Sequence, residues 1–425
     1  MDGSQFKDLV QRLSFLKNYS SLILPVIIIL VGVLLFIPTQ LMSSKLKKQM
    51  AAESITIGKR VQSLSKNTVA RNQWEVEKEY QQAYKRDADQ TLLLAKQSTQ
   101  RELLSYKIFP EPKDTSTLIF EGFGQQFREA VDGLIARVNA RDCPTDVELN
   151  RSLQGSNLRF RGGMGRGGLY GRLSDVEATI RDVLCREKAE SASVYANPAD
   201  LSGYEFWDEY EYAGRDEAVK DCWYWQLGYW VIEDVIDTIG ALNSGSNSVF
   251  TSPVKQLLAV SFTITDRRVR GRGRGIGIGR VVDVTRPKYV LSSMEALAEP
   301  CTARFYDDDI DVVHFNVVVL VSTKAILPFM QQLCSAKQHK FRGFFGNEQE
   351  QIFRHNQITI LESDIRSIDR ENETHRLYRY GEDAVVELDL ICEYIFNKSG
   401  YDAIKPESVK KEFVTEEEEE KEMEE

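Results

Sequence analysis

The hydrophobic pattern begins with one continuous apolar stretch near the N-terminus. No charged residue occurs from Asn18 to Ser44, and Leu22 to Ile37 is almost entirely Leu, Ile and Val. A helix rises about 1.5 Å per residue, so this stretch is long enough for the roughly 30 Å hydrocarbon layer of a membrane. The pattern predicts a transmembrane helix over residues 21–44 that follows an N-terminal stub, residues 1–20.

The fate and the orientation of this stretch have alternatives. A cleaved signal peptide is disfavoured because the apolar run is longer than a typical signal core and no small-x-small cleavage site follows it. Basic residues flank the stretch on both sides, at positions 7, 12 and 17 before it and at 45, 47 and 48 after it. Their distribution slightly favours an internal C-terminus, but long domains translocate largely regardless of such charges. Charge alone therefore leaves the orientation open.

A long polar helix is predicted next, over residues 45–109. From Lys45 to about Ser105 the chain lacks Pro, has one Gly and is rich in strong helix formers. Two apolar stripes with different registers give a partial coiled-coil signal. We expect partner contacts at five positions of this stalk: Val61, Leu64, Val69, Val76 and Tyr80. A helix that packs on its own domain, or that is broken in two, is the alternative.

Residues 110–287 form a predicted helix-rich α+β domain. Helices are expected over Phe123 to Asn139, Leu173 to Lys188 and Asp216 to Leu242, followed by a strand over Val254 to Thr265. The third helix carries Trp223, Trp225 and Trp230. Such an aromatic stripe is typical of a core helix.

Residues 288–404 form a second predicted α+β domain. The pattern indicates a strand over Val312 to Val321, a helix over Lys324 to Ala336, and strands over Ile358 to Leu361 and Ala384 to Phe396. This order favours a ferredoxin-like unit. On the helix, Phe329, Met330 and Leu333 are candidates either for a partner-binding face or for the internal core. Residues 405–425 form an acidic tail, predicted to be disordered.

Charge changes this picture little. The formal net charge is −10, but Glu416 to Glu425 holds eight Glu and one Lys, which leaves about −3 for the rest. Two Arg/Gly-rich runs, residues 159–172 and 267–280, predict flexible basic loops. As an alternative they could bind a polyanion, chiefly through one group of arginines: Arg267, Arg268, Arg270, Arg272 and Arg274.

The sequence offers little material for catalysis. It has four His, at positions 314, 339, 355 and 375, and six Cys without a CxxC pair. No hydrolase, zinc-protease or dinucleotide-binding motif occurs in a supporting context. We predict no catalytic, cofactor or metal site and no enzymatic activity.

The ordered combination of elements resembles the bitopic inner-membrane assembly proteins of type IV pili and type II secretion systems, of the PilO and GspM kind. The local likeness lies in the predicted strand and helix from His314 to Leu333 and in the strand that includes Ile358 to Ile365. The resemblance implies a cytoplasmic stub, a periplasmic body, and homo- or hetero-oligomers with other envelope assembly proteins.

The predicted function is therefore a non-enzymatic, membrane-anchored scaffold of a bacterial envelope machine that acts by helix pairing and domain docking, without nucleic acid. The alternative is a membrane-tethered protein whose cytoplasmic body binds nucleic acid or another polyanion through the Arg/Gly loops. A membrane-anchored enzyme is a third interpretation, which would need a convergent site that the sequence does not reveal.

Overall fold

The computed structural model describes residues 20–66, 71–114, 116–157, 169–263 and 285–413. The chain divides into an N-terminal unit, Met1–Ala88, and a body, Asp89–Glu425. The two Arg/Gly-rich runs lie largely outside the described residues, and so do Val69 and residues 414–425 of the acidic tail. The disorder predicted for the whole tail is not observed over residues 405–413, where Lys405 and Val409 are buried.

Two long helices occupy the N-terminal part: α1 is Ser20–Lys66 and α2 is Arg71–Ser98. The helical prediction for residues 45–109 is confirmed over 45–66 and 71–98. The helix ends at Ser98, so residues 99–109 of the predicted stalk are not helical. Residues 99–114 instead pack onto the body, where Arg101, Ile108 and Phe109 are buried.

The transmembrane helix predicted over 21–44 is wrong. In the part of the chain that the structure describes, no helix is both long enough and apolar enough to cross a membrane. A crossing needs about 20 consecutive, predominantly apolar residues. The apolar stretch is the first part of α1, which continues through Lys45, Lys47 and Lys48 to Lys66. The predicted single-pass inner-membrane location with a periplasmic body depended on that helix, so it is wrong as well.

Five further helices precede the central strands of the body. They are α3 (Leu118–Arg137), α4 (Asp146–Asn157), α5 (Leu169–Ser191), α6 (Tyr204–Asp208) and α7 (Arg215–Leu242). The three helices predicted in this region are confirmed as α3, α5 and α7. Asp216 and Glu217 lie in the first turn of α7, where carboxylates interact favourably with the helix dipole.

A mixed six-stranded sheet forms the centre of the body, with the order β1-β2-β3-β4-β8-β7. Its strands are β1 (Ala140–Arg141), β2 (Val194–Tyr195), β3 (Val254–Ser261), β4 (Ile310–Ser322), β7 (Ile358–Ser367) and β8 (Val385–Asn397). The pairs β1·β2 and β2·β3 are parallel, and the other three pairs are antiparallel. Strands β5 (Lys337–Phe341) and β6 (Gln351–His355) form a separate antiparallel pair. Two short helices, α8 (Ile326–Leu333) and α9 (Glu407–Lys410), complete the body.

The predicted ferredoxin-like unit within residues 288–404 is not observed. Strand β4 pairs with β8 on one side, but on its other side it pairs with β3, which belongs to the preceding predicted region. Strands from both predicted regions therefore build one sheet. Four predicted strands are confirmed as β3, β4, β7 and β8. Strands β1, β2, β5 and β6 were not predicted.

Both faces of the sheet are covered. The odd-numbered residues of β4 from Val313 to Val321 enter the main core, where the buried Trp223, Trp225 and Trp230 of α7 also lie. Leu320 enters a smaller cluster with Tyr195 and Tyr380 on the opposite face. Because both faces are buried, β4 is a nearly continuous apolar run, as expected for a central strand. The aromatic stripe of α7 is core, as predicted.

Candidate functional site

Helix α2 presents large apolar side chains to solvent. Val76 is 49% exposed, Tyr80 59% and Leu94 62%, and Ala83 between them is exposed as well. At about 100° per residue these four side chains lie on one side of the helix. We call them the α2 face. Exposed apolar side chains on one side of a helix are typical of an interaction site.

The spacing within the α2 face is that of a paired helix. Val76, Tyr80 and Ala83 follow one another at intervals of four and three. The same alternation then passes through the polar residues Asp87 and Gln90 before it reaches Leu94. Sequence reasoning placed Val69, Val76 and Ala83 in one stripe and paired that stripe with the polar positions 65, 72 and 79, so the coiled-coil signal was only partial. Taking Tyr80 as the second core position restores the alternation. The information that was missed lay in the sequence itself.

The other predicted stalk residues do not belong to the α2 face. Val61 lies on α1 and is 59% exposed. Leu64 belongs to the same helix, while Val69 lies outside the described residues. Trp74 and Leu92 are exposed on α2 but point away from the α2 face, since each lies about half a turn from it.

Helix α8 does not present Phe329, Met330 and Leu333 as a partner-binding face. Phe329 and Leu333 of α8 are completely buried in the main core, and Met330 is partly buried against it. These side chains hold α8 against the body, which agrees with the alternative that they are core. The five arginines considered for a polyanion, from Arg267 to Arg274, lie outside the described residues, so that interpretation stays a prediction.

A buried polar network inside the body brings together the groups that most resemble catalytic ones. The carboxylate of Asp234 on α7 accepts hydrogen bonds from both terminal nitrogens of Arg101, each at 3.1 Å, and from the hydroxyl of Tyr394 at 2.7 Å. Nε2 of His355 lies 2.8 Å from the same carboxylate, and Nδ1 of His355 lies 2.7 Å from Nδ1 of His339. All five side chains are almost fully buried.

The charges of this network are paired inside the body, which indicates a structural role. Burial raises the pKa of Asp234, but Arg101 and His355 outweigh burial and hold that pKa well below its usual range. Burial together with the nearby Arg101 lowers the pKa of His339 to about 3, so the imidazole is neutral at physiological pH. Both ring nitrogens of His339 have a partner, because Nδ1 faces His355 and Nε2 lies 3.1 Å from the carbonyl oxygen of Gln100. The network therefore ties the segment after α2 to α7, β6 and β8.

An open groove of about 590 Å³ lies between α3 and α6, lined by carboxylates that include Glu129, Asp132 and Asp208. These charges are already engaged within the chain. Arg128 pairs with Asp208, Gln125 donates to Glu129 at 2.8 Å, and the Tyr204 hydroxyl donates to Asp132 at 3.2 Å. Over the described ranges, no group of His, Cys, Asp and Glu is arranged to hold a metal ion.

Comparison with known proteins gives no relative for this chain: no family model, no curated protein and no solved structure matches it. The resemblance to pilus and secretion assembly proteins thus stays a prediction. Helix α1 also exposes large apolar side chains, among them Met42, Met50 and Ile57. The α2 face combines exposed apolar side chains with the spacing of a paired helix, and it is our candidate functional site.

Proposed function

We propose that this protein is a non-enzymatic assembly scaffold that associates with a partner helix through the α2 face. The observation that carries the proposal is the exposure of Val76, Tyr80 and Leu94 on one side of a helix, with the spacing of a paired helix. The body is the second part of the scaffold. Its buried polar network fixes Arg101, which follows α2 in the sequence, to Asp234 of α7.

The energetics support a partner. A helix with a largely polar surface gains most of its stability from packing of an apolar stripe rather than from helix propensity. Complete burial of a Val or Leu side chain contributes about 1.5 to 3 kcal/mol. An unpaired α2 leaves that stabilisation unrealised at Val76 and Leu94, whereas pairing realises it.

The chemistry of the body supports a role without catalysis. The cluster of Asp234, His355, Tyr394 and Arg101 is almost fully buried, and its members bond to one another. A catalytic group must reach its substrate, and these groups do not line the groove between α3 and α6. Membership of a pilus or secretion machine rests on the sequence resemblance alone and stays a prediction.

The proposal is tested by photo-crosslinking of the full chain in its native cells. A photoreactive amino acid replaces either Tyr80 on the α2 face or Gln82, which lies on the opposite side of the same helix. We expect a discrete crosslinked species from position 80 and a much weaker one from position 82. Both positions are exposed in the structure, so exposure alone does not separate them.

A substitution makes the test specific to packing. With the photoreactive group at position 80, Val76→Lys should lower the crosslinking yield at least tenfold, because it places a charge in the contact. Lys has a higher helix propensity than Val, so the substitution does not weaken the helix itself. Gln82→Lys is the matched control and should leave the yield unchanged. Equal yields from the two positions, or no response to Val76→Lys, would refute the scaffold proposal.

A further inference from the structure

The residues that flank the α2 face carry opposite charges in a symmetric arrangement. Glu79 immediately precedes Tyr80, and Arg86 stands seven residues further on, immediately before Asp87. Two residues that are seven apart lie along the same edge of a paired helix. This edge therefore has a negative charge on one side of the centre of the α2 face and a positive charge on the other side. Both side chains are exposed.

A parallel pair of α2 helices would not use these charges. In a parallel pair, residues on this edge approach the opposite edge of the partner about five residues further along. Glu79 would then approach Tyr84, and Arg86 would approach Thr91. Neither contact joins opposite charges.

An antiparallel pair brings the charges together. When two antiparallel helices pack with Tyr80 of one against Ala83 of the other, like edges face each other. Glu79 then meets Arg86 of the second copy, and by symmetry Arg86 meets Glu79 of the second copy. The side chains tilt toward their own helix N-termini, which brings each pair closer.

The rest of the face fits this register. Tyr80 against Ala83 sets a large side chain against a small one, and position 73 meets position 90, which are both Gln. Asp87 of one copy meets Val76 of the other. A polar side chain such as Asp87 at a core position lowers stability but helps to fix one register. All of the matching groups come from one stretch of α2, so a second copy of the same chain completes the arrangement.

We propose that α2 pairs antiparallel with α2 of a second copy about a two-fold axis near residues 81 and 82, with two Glu79–Arg86 ion pairs between the copies. This inference rests on the proposed function and specifies its partner.

Charge reversal tests the arrangement with the full chain in sedimentation velocity at low ionic strength. Glu79→Arg alone, or Arg86→Glu alone, should raise the dissociation constant of the dimer about tenfold, because both attractive pairs become repulsive. An equimolar mixture of the two variants should recover the affinity of the natural chain, since each copy then supplies what the other lacks. The doubly reversed chain, Glu79→Arg with Arg86→Glu, should recover it as well.

Lys78→Glu is the matched control, because Lys78 lies on the side of α2 away from the face. It should leave the dissociation constant unchanged. A monomeric natural chain, or single variants that dimerise normally, would overturn the antiparallel pairing. Failure of the mixture to recover affinity would do the same. If position 80 still crosslinks to a different protein in cells, the scaffold proposal survives while this inference fails.

Discussion

The most consequential single residue in the body is Asp234. Its carboxylate is buried and joins Arg101, His355 and Tyr394, which come from three distant parts of the sequence. A buried charge pair does not by itself prove a large net stabilisation, but removal of one partner leaves the other buried without compensation. The guanidinium of Arg101 would keep one carboxylate partner, Glu233 at 2.6 Å, and the Tyr394 hydroxyl at 2.8 Å.

We therefore expect Asp234→Asn to lower the free energy of unfolding by about 3 to 5 kcal/mol at neutral pH. The measurement is a denaturant unfolding curve. Asp237→Asn is the matched control on the same helix, where burial raises the pKa of the carboxyl to about 6 and the partner, Arg137, is exposed. That change should alter stability by less than about 1 kcal/mol. Equal effects at the two positions would show that the buried network does not stabilise the body more than an exposed ion pair does.

Among the helices, α3 depends on close approach by an aromatic ring. A methyl group at Gly124 would lie 2.6 Å from Cε3 of Trp207, so only Gly lets this indole pack against α3. The ring in turn contacts Phe123 and Phe206 with centroid distances of 5.3 Å and 5.1 Å. The short helix α6 is thus positioned by one missing side chain on α3.

Gly124→Ala should destabilise the body by about 1 to 3 kcal/mol, because the ring of Trp207 must move away. Gly133→Ala is the matched control on the same helix, where an added methyl group meets no atom within 4 Å. It should stabilise the helix by up to about 1 kcal/mol, since Ala has the higher helix propensity. Thermal unfolding followed by tryptophan fluorescence distinguishes the two. A neutral Gly124→Ala would contradict the tight packing.

In the body as a whole, the sheet joins the two regions that the sequence pattern separated. Strand β4 has β3 on one side and β8 on the other, and α7 covers its inward face. Residues 288–404 alone would lose β3 and α7 together, which exposes Val313, Phe315 and Val317 to water.

We expect an isolated fragment of residues 288–404 to be unfolded, whereas residues 89–413 fold cooperatively. Circular dichroism and the dispersion of amide proton resonances measure this directly. The longer fragment is the control, because it keeps every described strand. A folded 288–404 fragment would restore the two-domain prediction.

The secondary structure of this protein was largely set by its sequence. The periodicity of α3, α5 and α7 and the apolar run of β4 are local properties, and the structure confirms them. The spacing of Val76, Tyr80 and Ala83 was equally present in the sequence. Local patterns determine elements because side-chain periodicity decides which face of a helix or strand avoids water.

The tertiary structure alone decided how these elements combine. Nothing near Arg101 in the sequence indicates Asp234 or Tyr394, since 133 and 293 residues separate it from them. The pairing of β3 with β4 was equally hidden, because an apolar strand is compatible with many neighbours. Apolarity specifies that a residue is buried, but the choice of partner comes from the mutual fit of distant surfaces.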